Sequence, residues 1–421
     1  MPSTRTFSGA ATPIAQVNTY TFSGTWVIGD LITFTYGSAS WTYTIASATI
    51  ATFLAAMNTA YNALSSLAFP QFAAENISAN PTGSTITLTA LAAGRPFTCT
   101  ISTNSAAGLI NGTTSTTGTA TTTSSGPNDY GVSTNWTPVG VPTTGDTVDL
   151  TNTSLDILYS LDQHTVTLAN LIIDSTFTGK LGLADNNPSG YTEYRPAYLQ
   201  TGATLCTIGA GSGANSERIK VDFYTIQTTC TIISTNTSVF DPDVTAPVLL
   251  KGSNSSNSLS ITQGVVNSAM TLTTLNVSYH SVVSSDVILQ QTGTVGTLFQ
   301  TGGTINVSGN TTTCTMLAGA STLSGTATCT TLKVLTALNT PLTFYWASSG
   351  TITTGTFSAG ATLNANQNLV SRTMTNCNLE AGAAITDPAI TITFTNPFYL
   401  RACGVQDVTL NLGRDIHLQR S

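Results

Sequence analysis

The chain has 421 residues, 41% of them hydrophobic and only 7% charged, with 12 basic against 19 acidic side chains and a formal net charge of −7. So much apolar content supports a sizeable core and excludes a charge-rich disordered polymer. The scattered Lys and Arg exclude a basic surface that tracks nucleic acid, and no run approaches the roughly 20 apolar residues that cross a bilayer.

The first stretch, "MPSTRTFSGAATPIAQ", carries no apolar h-region of a secretory signal. Residues 1–103 then predict a small α+β module. In "ITFTY-GSAS-WTYTI" (32–45), Ile32, Phe34 and Tyr36 alternate on one strand and Trp41, Tyr43 and Ile45 on the next, around a polar four-residue turn. A helix follows, because Ile50, Phe53, Leu54, Met57, Tyr61 and Leu64 fall on one stripe. Ile86 and Leu88, then Phe97, Cys99 and Ile101, alternate in a second pair of strands, so the order suggests one small sheet with a helix across it. Residues 104–130 are rich in Thr, Ser and Gly and read as a flexible linker; the alternative is an extended strand lying along a neighbour.

From about residue 131 the pattern becomes repetitive. "TLTTLNV" (271–277) returns as "TCTTLKV" (328–334), and Leu275, Leu298, Leu317, Leu332, Phe357 and Leu379 serve as anchors about 21 residues apart. Short alternating strands at that period, with Gly and Asn turns between them, predict a β-solenoid over 131–395. Threonine suits such a stack: it is β-branched, and its hydroxyl bonds to the strands above and below without charge. About twelve coils at the spacing of neighbouring strands make a rod on the order of 60 Å long. A pair of β-sandwiches competes with this reading, since the anchor spacings are uneven. Residues 396–421 read as a C-terminal capping tail, with Arg401, Arg414 and Arg420 dense for so charge-poor a chain. The expected fold is therefore mainly β: a small N-terminal α+β module followed by a right-handed parallel β-helix (β-solenoid) and a capping tail. The seven cysteines are odd in number and lack CxxC spacing, which predicts reduced core residues.

"NWTPVGVPTTGDTVDL" (135–150), followed by "LANLIID", resembles the opening of parallel β-helix passenger and adhesin-like proteins. "GDLITFTYGSASWTYTI", a helix, and "GSTITLTALAAGRPFTCT" resemble a small module of tailed-phage and prophage structural proteins. The resemblance implies a phage virion protein with a β-helix body, structural or receptor-binding and often trimeric; some members of such families are depolymerases.

Catalytic patterns are scarce. His164, His280 and His417 have no metal-ligand spacing, and the glycine-rich "GAGSGAN" (209–215) lacks the Lys-Ser/Thr of a phosphate loop. Paired carboxylates, the chemistry of polysaccharide cleavage, have three candidates: Asp156 with Asp162, Asp241 with Asp243, and Glu193 near Asp185. In "SGYTEYRPAY" (189–198), Tyr191, Tyr194, Arg195 and Tyr198 form a candidate surface contact for a sugar or a subunit; the plainer reading is a loop folded over its neighbour. The expected function is a non-enzymatic structural component of a tailed-phage virion, decorating the capsid or forming a fibre or spike. No catalytic residue, cofactor or metal is expected. Its expected partners are copies of itself (a homotrimer), capsid or tail proteins and a host-surface glycan, with no nucleic acid and no membrane insertion. It would be made in the host cytoplasm. The alternatives are a bacterial surface adhesin or surface-layer component, and a polysaccharide depolymerase.

Overall fold

The computed structural model describes residues 2–111, 115–278, 287–336, 341–401, 403–404 and 407–413. His280, His417, Arg414 and Arg420 lie outside the described residues. The chain is mainly β, and among the described residues there are two short α-helices near its N-terminus.

The hairpin forms where alternation places it. Leu31–Tyr36 pairs antiparallel with Ala39–Thr44, setting Phe34 opposite Trp41 and Ile32 opposite Tyr43. Its turn is tighter than the expected four residues, because Tyr36 already pairs with Ala39 and Gly37 takes a positive φ of 55°. The helix Ile50–Asn62 buries Phe53, Leu54, Met57 and Tyr61. A second helix, Pro70–Glu75, begins with Pro where the missing N–H costs nothing.

One small sheet was the expectation; two are present. Thr85–Ala90 pairs with Asn76–Thr82 and Val17–Gly24, whereas Thr100–Thr103 pairs with the hairpin strand Leu31–Tyr36. Side chains from both sheets, with Phe53, Leu54, Met57 and Tyr61, make one apolar cluster. The Tyr20 hydroxyl donates to the Cys99 carbonyl at 2.8 Å across it. The described residues of the expected linker form strands: Gly108–Ile110 and Thr119–Thr122 pair with Val17–Gly24, and Ser115–Thr117 pairs with Thr100–Thr103. A threonine-rich segment has strand propensity that a Gly/Ser linker lacks.

The first strand leaves the module altogether. Thr4–Phe7 pairs antiparallel with Trp136–Thr137 and parallel with Thr147–Leu150 in the large sheet. The Phe7 ring meets Trp136 edge-on at 5.1 Å. Asp146 fixes this crossing: its buried carboxylate accepts from the Ser3 N–H at 2.7 Å, Arg5 Nε at 3.1 Å and the Thr143 N–H at 3.0 Å. Burial alone would raise its pKa, but those donors hold it well below the usual carboxylate range. A depressed pKa stabilises the fold at neutral pH, and the gain is lost as pH falls through and below the ordinary carboxylate value. Asp146→Asn should therefore cost about 1.5–3 kcal/mol near pH 7, and the gap should narrow steadily toward pH 3. Denaturant melts of both proteins across that range check it; a gap independent of pH would contradict it.

Beyond residue 147 every pairing between named strands is parallel. One inward column reads Val148, Leu171, Cys206, Cys230, Leu259, Leu275, Leu298, Cys314, Leu332, Gly355, Cys377, Phe398, each residue registered on the next. A second inward column, on another face, runs Ile219, Val248, Val266, Leu289, Ile305, Ser321, Phe344, Leu363, Ile385, Leu410. Most of these side chains are fully buried and belong to one continuous cluster. Burying each Leu, Ile or Val there is worth about 1.5–3 kcal/mol relative to leaving it in water.

The expected anchors need one correction. Leu317 is half-buried and outside the inward column; Cys314 holds the place between Leu298 and Leu332. A buried thiol packs as a small hydrophobe and here takes a leucine's position. Phe357 and Leu379 are registered on each other beside Gly355 and Cys377, in a neighbouring inward column. All seven cysteines are free and six are buried, and burial pushes the Cys377 thiol up to about 12. The pairing also continues past residue 395, since Phe398–Arg401 and Thr409–Asn411 add further parallel strands.

Outward columns are mostly hydroxyl and amide, with a few apolar side chains such as Leu205 and Phe299 among them. Thr229, Ser258, Thr274, Thr297, Thr313, Thr331 and Thr354 stand in one register. Between Lys251 and Arg372 the sequence has no charged residue besides Asp286 and Lys333.

Candidate functional site

Charge in this chain gathers where the N-terminal module meets the ladder. Glu75, the last residue of the helix Pro70–Glu75, has a side chain with no solvent exposure. Arg95 of the module donates to its Oε1 at 2.7 Å, and Arg195 of the ladder donates to its Oε2. The Tyr191 hydroxyl donates to Glu75 as well, and Arg95 Nη2 lies 2.6 Å from that hydroxyl. Arg195 is held further by Glu193 Oε1 at 2.8 Å and the Pro96 carbonyl at 2.8 Å. Burial would raise the Glu193 pKa, yet Arg195 and Asn187 keep it below the ordinary value. The Tyr194 ring stacks with Tyr191 at 6.4 Å and packs 5.8 Å from Tyr36. Opposite it stands Gly37, where a Cβ would come within 2.7 Å of Tyr194 Cβ.

Three of the four candidate contact residues are therefore not free surface. Tyr191 is 4% exposed, and Tyr191, Tyr194 and Arg195 clamp the ladder onto the module. Local sequence could not show this, since their partner Glu75 is more than a hundred positions away. Glu75 itself was missed; an acid ending a short Pro-initiated helix carries no distinctive signal.

Tyr198 lies elsewhere, on an open groove. Its ring faces the Lys251 ammonium at 4.0 Å and the Lys220 ammonium at 4.7 Å. Lys220 is buried and tied to Asp185 at 2.7 Å and to the Leu183 carbonyl at 2.9 Å. The groove has two adjoining lobes of about 110 and 310 Å³ that share Lys251 and Ala269. Asp222 and Tyr224 line the larger lobe, and Asn267 and Gln290 the smaller. A separate cleft of about 250 Å³ beside the clamp is lined by Arg95, Tyr159, Asn187, Glu193, Arg218 and Asp243.

The paired carboxylates are engaged structurally. Asp241 is buried against Lys180 at 3.1 Å and Arg218 at 3.2 Å, while its Oδ1 accepts the Asp243 N–H in a tight turn. Asp156 accepts the Lys180 N–H at 2.8 Å, and Asp162 pairs with His164 at 2.5 Å. Asp185 and Glu193 each hold a cation, Lys220 and Arg195 respectively. The "GAGSGAN" segment is a strand end and the bend after it, packed close against the next rung: a Cβ at Gly209 would fall 1.7 Å from the Ser234 carbonyl oxygen. Among the described residues no group of three or more His, Cys, Asp or Glu side chains converges as a metal site would require. No family model, curated protein or solved structure matches the chain.

Proposed function

We propose that this protein is a non-enzymatic structural component of a tailed-phage virion, acting by assembly and surface contact. Its body is a right-handed parallel β-helix that associates as a homotrimer and abuts capsid or tail proteins. The observation that carries this reading is the unbroken inward column from Val148 to Phe398, registered residue on residue. Such a column makes a stiff rod whose rungs each contact only their neighbours. The Glu75 clamp supports it too, because it fixes a globular module rigidly at one end. The candidate acids are committed to ion pairs and turns, which fits a body that bears contacts better than one that cuts bonds.

Mass spectrometry of density-purified particles from the producing host decides the setting. The reading requires peptides of this chain at a fixed ratio to the coat protein. Particles without the chain, with the chain found instead on intact cell surfaces, would replace it with the adhesin alternative.

A further inference from the structure

The groove on the ladder face holds a cation without a carboxylate and a strained aromatic residue, and together these say what it receives. Lys220 and Lys251 both face Tyr198, but only Lys220 has an acid. Among the described residues Lys251 has no carboxylate within 4.0 Å, and its side chain is exposed. Asp222 is its registered neighbour, but Asp222 Oδ1 accepts the Tyr224 N–H at 2.9 Å.

Tyr224 stands in the left-handed region, at φ 52°. A bulky residue there is a genuine outlier, and such strain collects at binding sites. The surroundings hold it in place: its carbonyl accepts from the Ser253 N–H at 2.6 Å and from Ser253 Oγ at 3.1 Å. The His164 ring lies 5.9 Å from the Tyr224 ring, tilted against it. Asn or Gly would accept this backbone with less strain than Tyr.

The two lobes meet at Lys251 and the small, exposed Ala269, with Tyr198 lining one lobe and Tyr224 the other. From there an outward amide column continues along the ladder as Asn267, Gln290 and Asn306. Aromatic faces lining a groove suit the C–H faces of sugar rings. Amides that both donate and accept suit vicinal hydroxyls. An exposed ammonium with no carboxylate within 4.0 Å suits a carboxylate. We infer that this groove binds an acidic saccharide chain, with a sugar carboxylate on Lys251, a ring against Tyr224 and the chain running along the amide column. The inference rests on the reading of the protein as a surface-contact body and names the partner of that contact.

The test uses the full chain, immobilised, with polygalacturonate and hyaluronan as probes, and with their carboxyl-reduced forms and dextran as neutral controls. The acidic polymers should be retained, weakening as salt rises, and the neutral ones should not. Lys251→Met and Tyr224→Asn should each weaken retention about tenfold or more, the scale of one lost charged or stacked contact. Tyr224→Asn should also melt at or above the parent temperature, since Asn tolerates that backbone; a merely structural tyrosine would lower it. Failure to retain either acidic polymer, equal retention of the neutral ones, or retention unchanged in both variants would overturn the inference. Particles that contain the chain while the groove retains nothing would leave the virion reading standing and remove only this one.

Discussion

Glu75→Ala is expected to cost about 3–5 kcal/mol, the usual penalty for removing one partner of a buried ion pair. The side chain is fully buried, and Arg195, 8% exposed, would be left facing Tyr191 and Tyr194 with only Glu193 for compensation. Arg95, 21% exposed, can turn to solvent, so most of the loss should come from Arg195 and the stranded Tyr191 hydroxyl. Glu75→Gln keeps the shape and part of the hydrogen bonding and should fall between parent and alanine variant. Because the clamp joins the module to the ladder, the alanine variant should also expose the 187–198 loop to protease before the ladder unfolds. Denaturant melts and limited proteolysis check both points. A change within about 0.5 kcal/mol, as for an ordinary surface substitution, with no new cleavage would mean the junction does not depend on Glu75.

The second large effect concerns neighbouring residues with opposite fates. Leu298 is 1% exposed in the inward column, between Leu275 and Cys314; Phe299 is 38% exposed in an outward one, between Asn276 and Thr315. Leu298→Ala should cost about 2–5 kcal/mol, a transfer term plus the cavity left between rungs that cannot collapse. Phe299→Thr, which supplies the residue type common on that face, should stay within about 0.5 kcal/mol of the parent. Since a one-residue slip exchanges the two faces of a strand, similar costs at both positions would contradict the register. Melting curves of the two variants read this directly.

The strands themselves were legible because their side chains alternate: Ile32, Phe34 and Tyr36 are buried as the pattern requires, and the helix buries Phe53, Leu54, Met57 and Tyr61. Six of the seven cysteines, too, lie inside as their placement in alternating strands indicated; Cys403 is half-buried. What alternation cannot specify is the partner. Thr85–Ala90 and Thr100–Thr103 look like two halves of one hairpin, yet each finds a better neighbour in a different sheet. Leu317 looked like an anchor because leucine is the commonest core residue, whereas the registered position is Cys314. The strand Thr4–Phe7 and the clamp on Glu75 depend on contacts more than a hundred residues apart, which no local pattern records. At the candidate site, tyrosine and arginine clustering marked a loop that packs over its neighbour, the plainer of the two readings of "SGYTEYRPAY". Tyr191 is buried in the junction with Tyr194 and Arg195 packed half-buried beside it, and Tyr198 lines a groove. The signal for that groove, Lys251 at the end of the charged half of the chain, is visible only once Tyr198 stands beside it.

The distance between two nitroxide labels, at Thr229→Cys and Thr354→Cys in a Cys403→Ser background that removes the one native thiol not buried, measured by pulsed electron resonance, bears most directly on the parallel ladder. Those positions are joined by six registered steps, through Ser258, Thr274, Thr297, Thr313 and Thr331. At about 4.8 Å per step the separation should be roughly 29 Å, with a narrow distribution. A broad distribution, or a separation below about 20 Å as two packed β-sandwich faces would give, would show that the strands do not stack in this order.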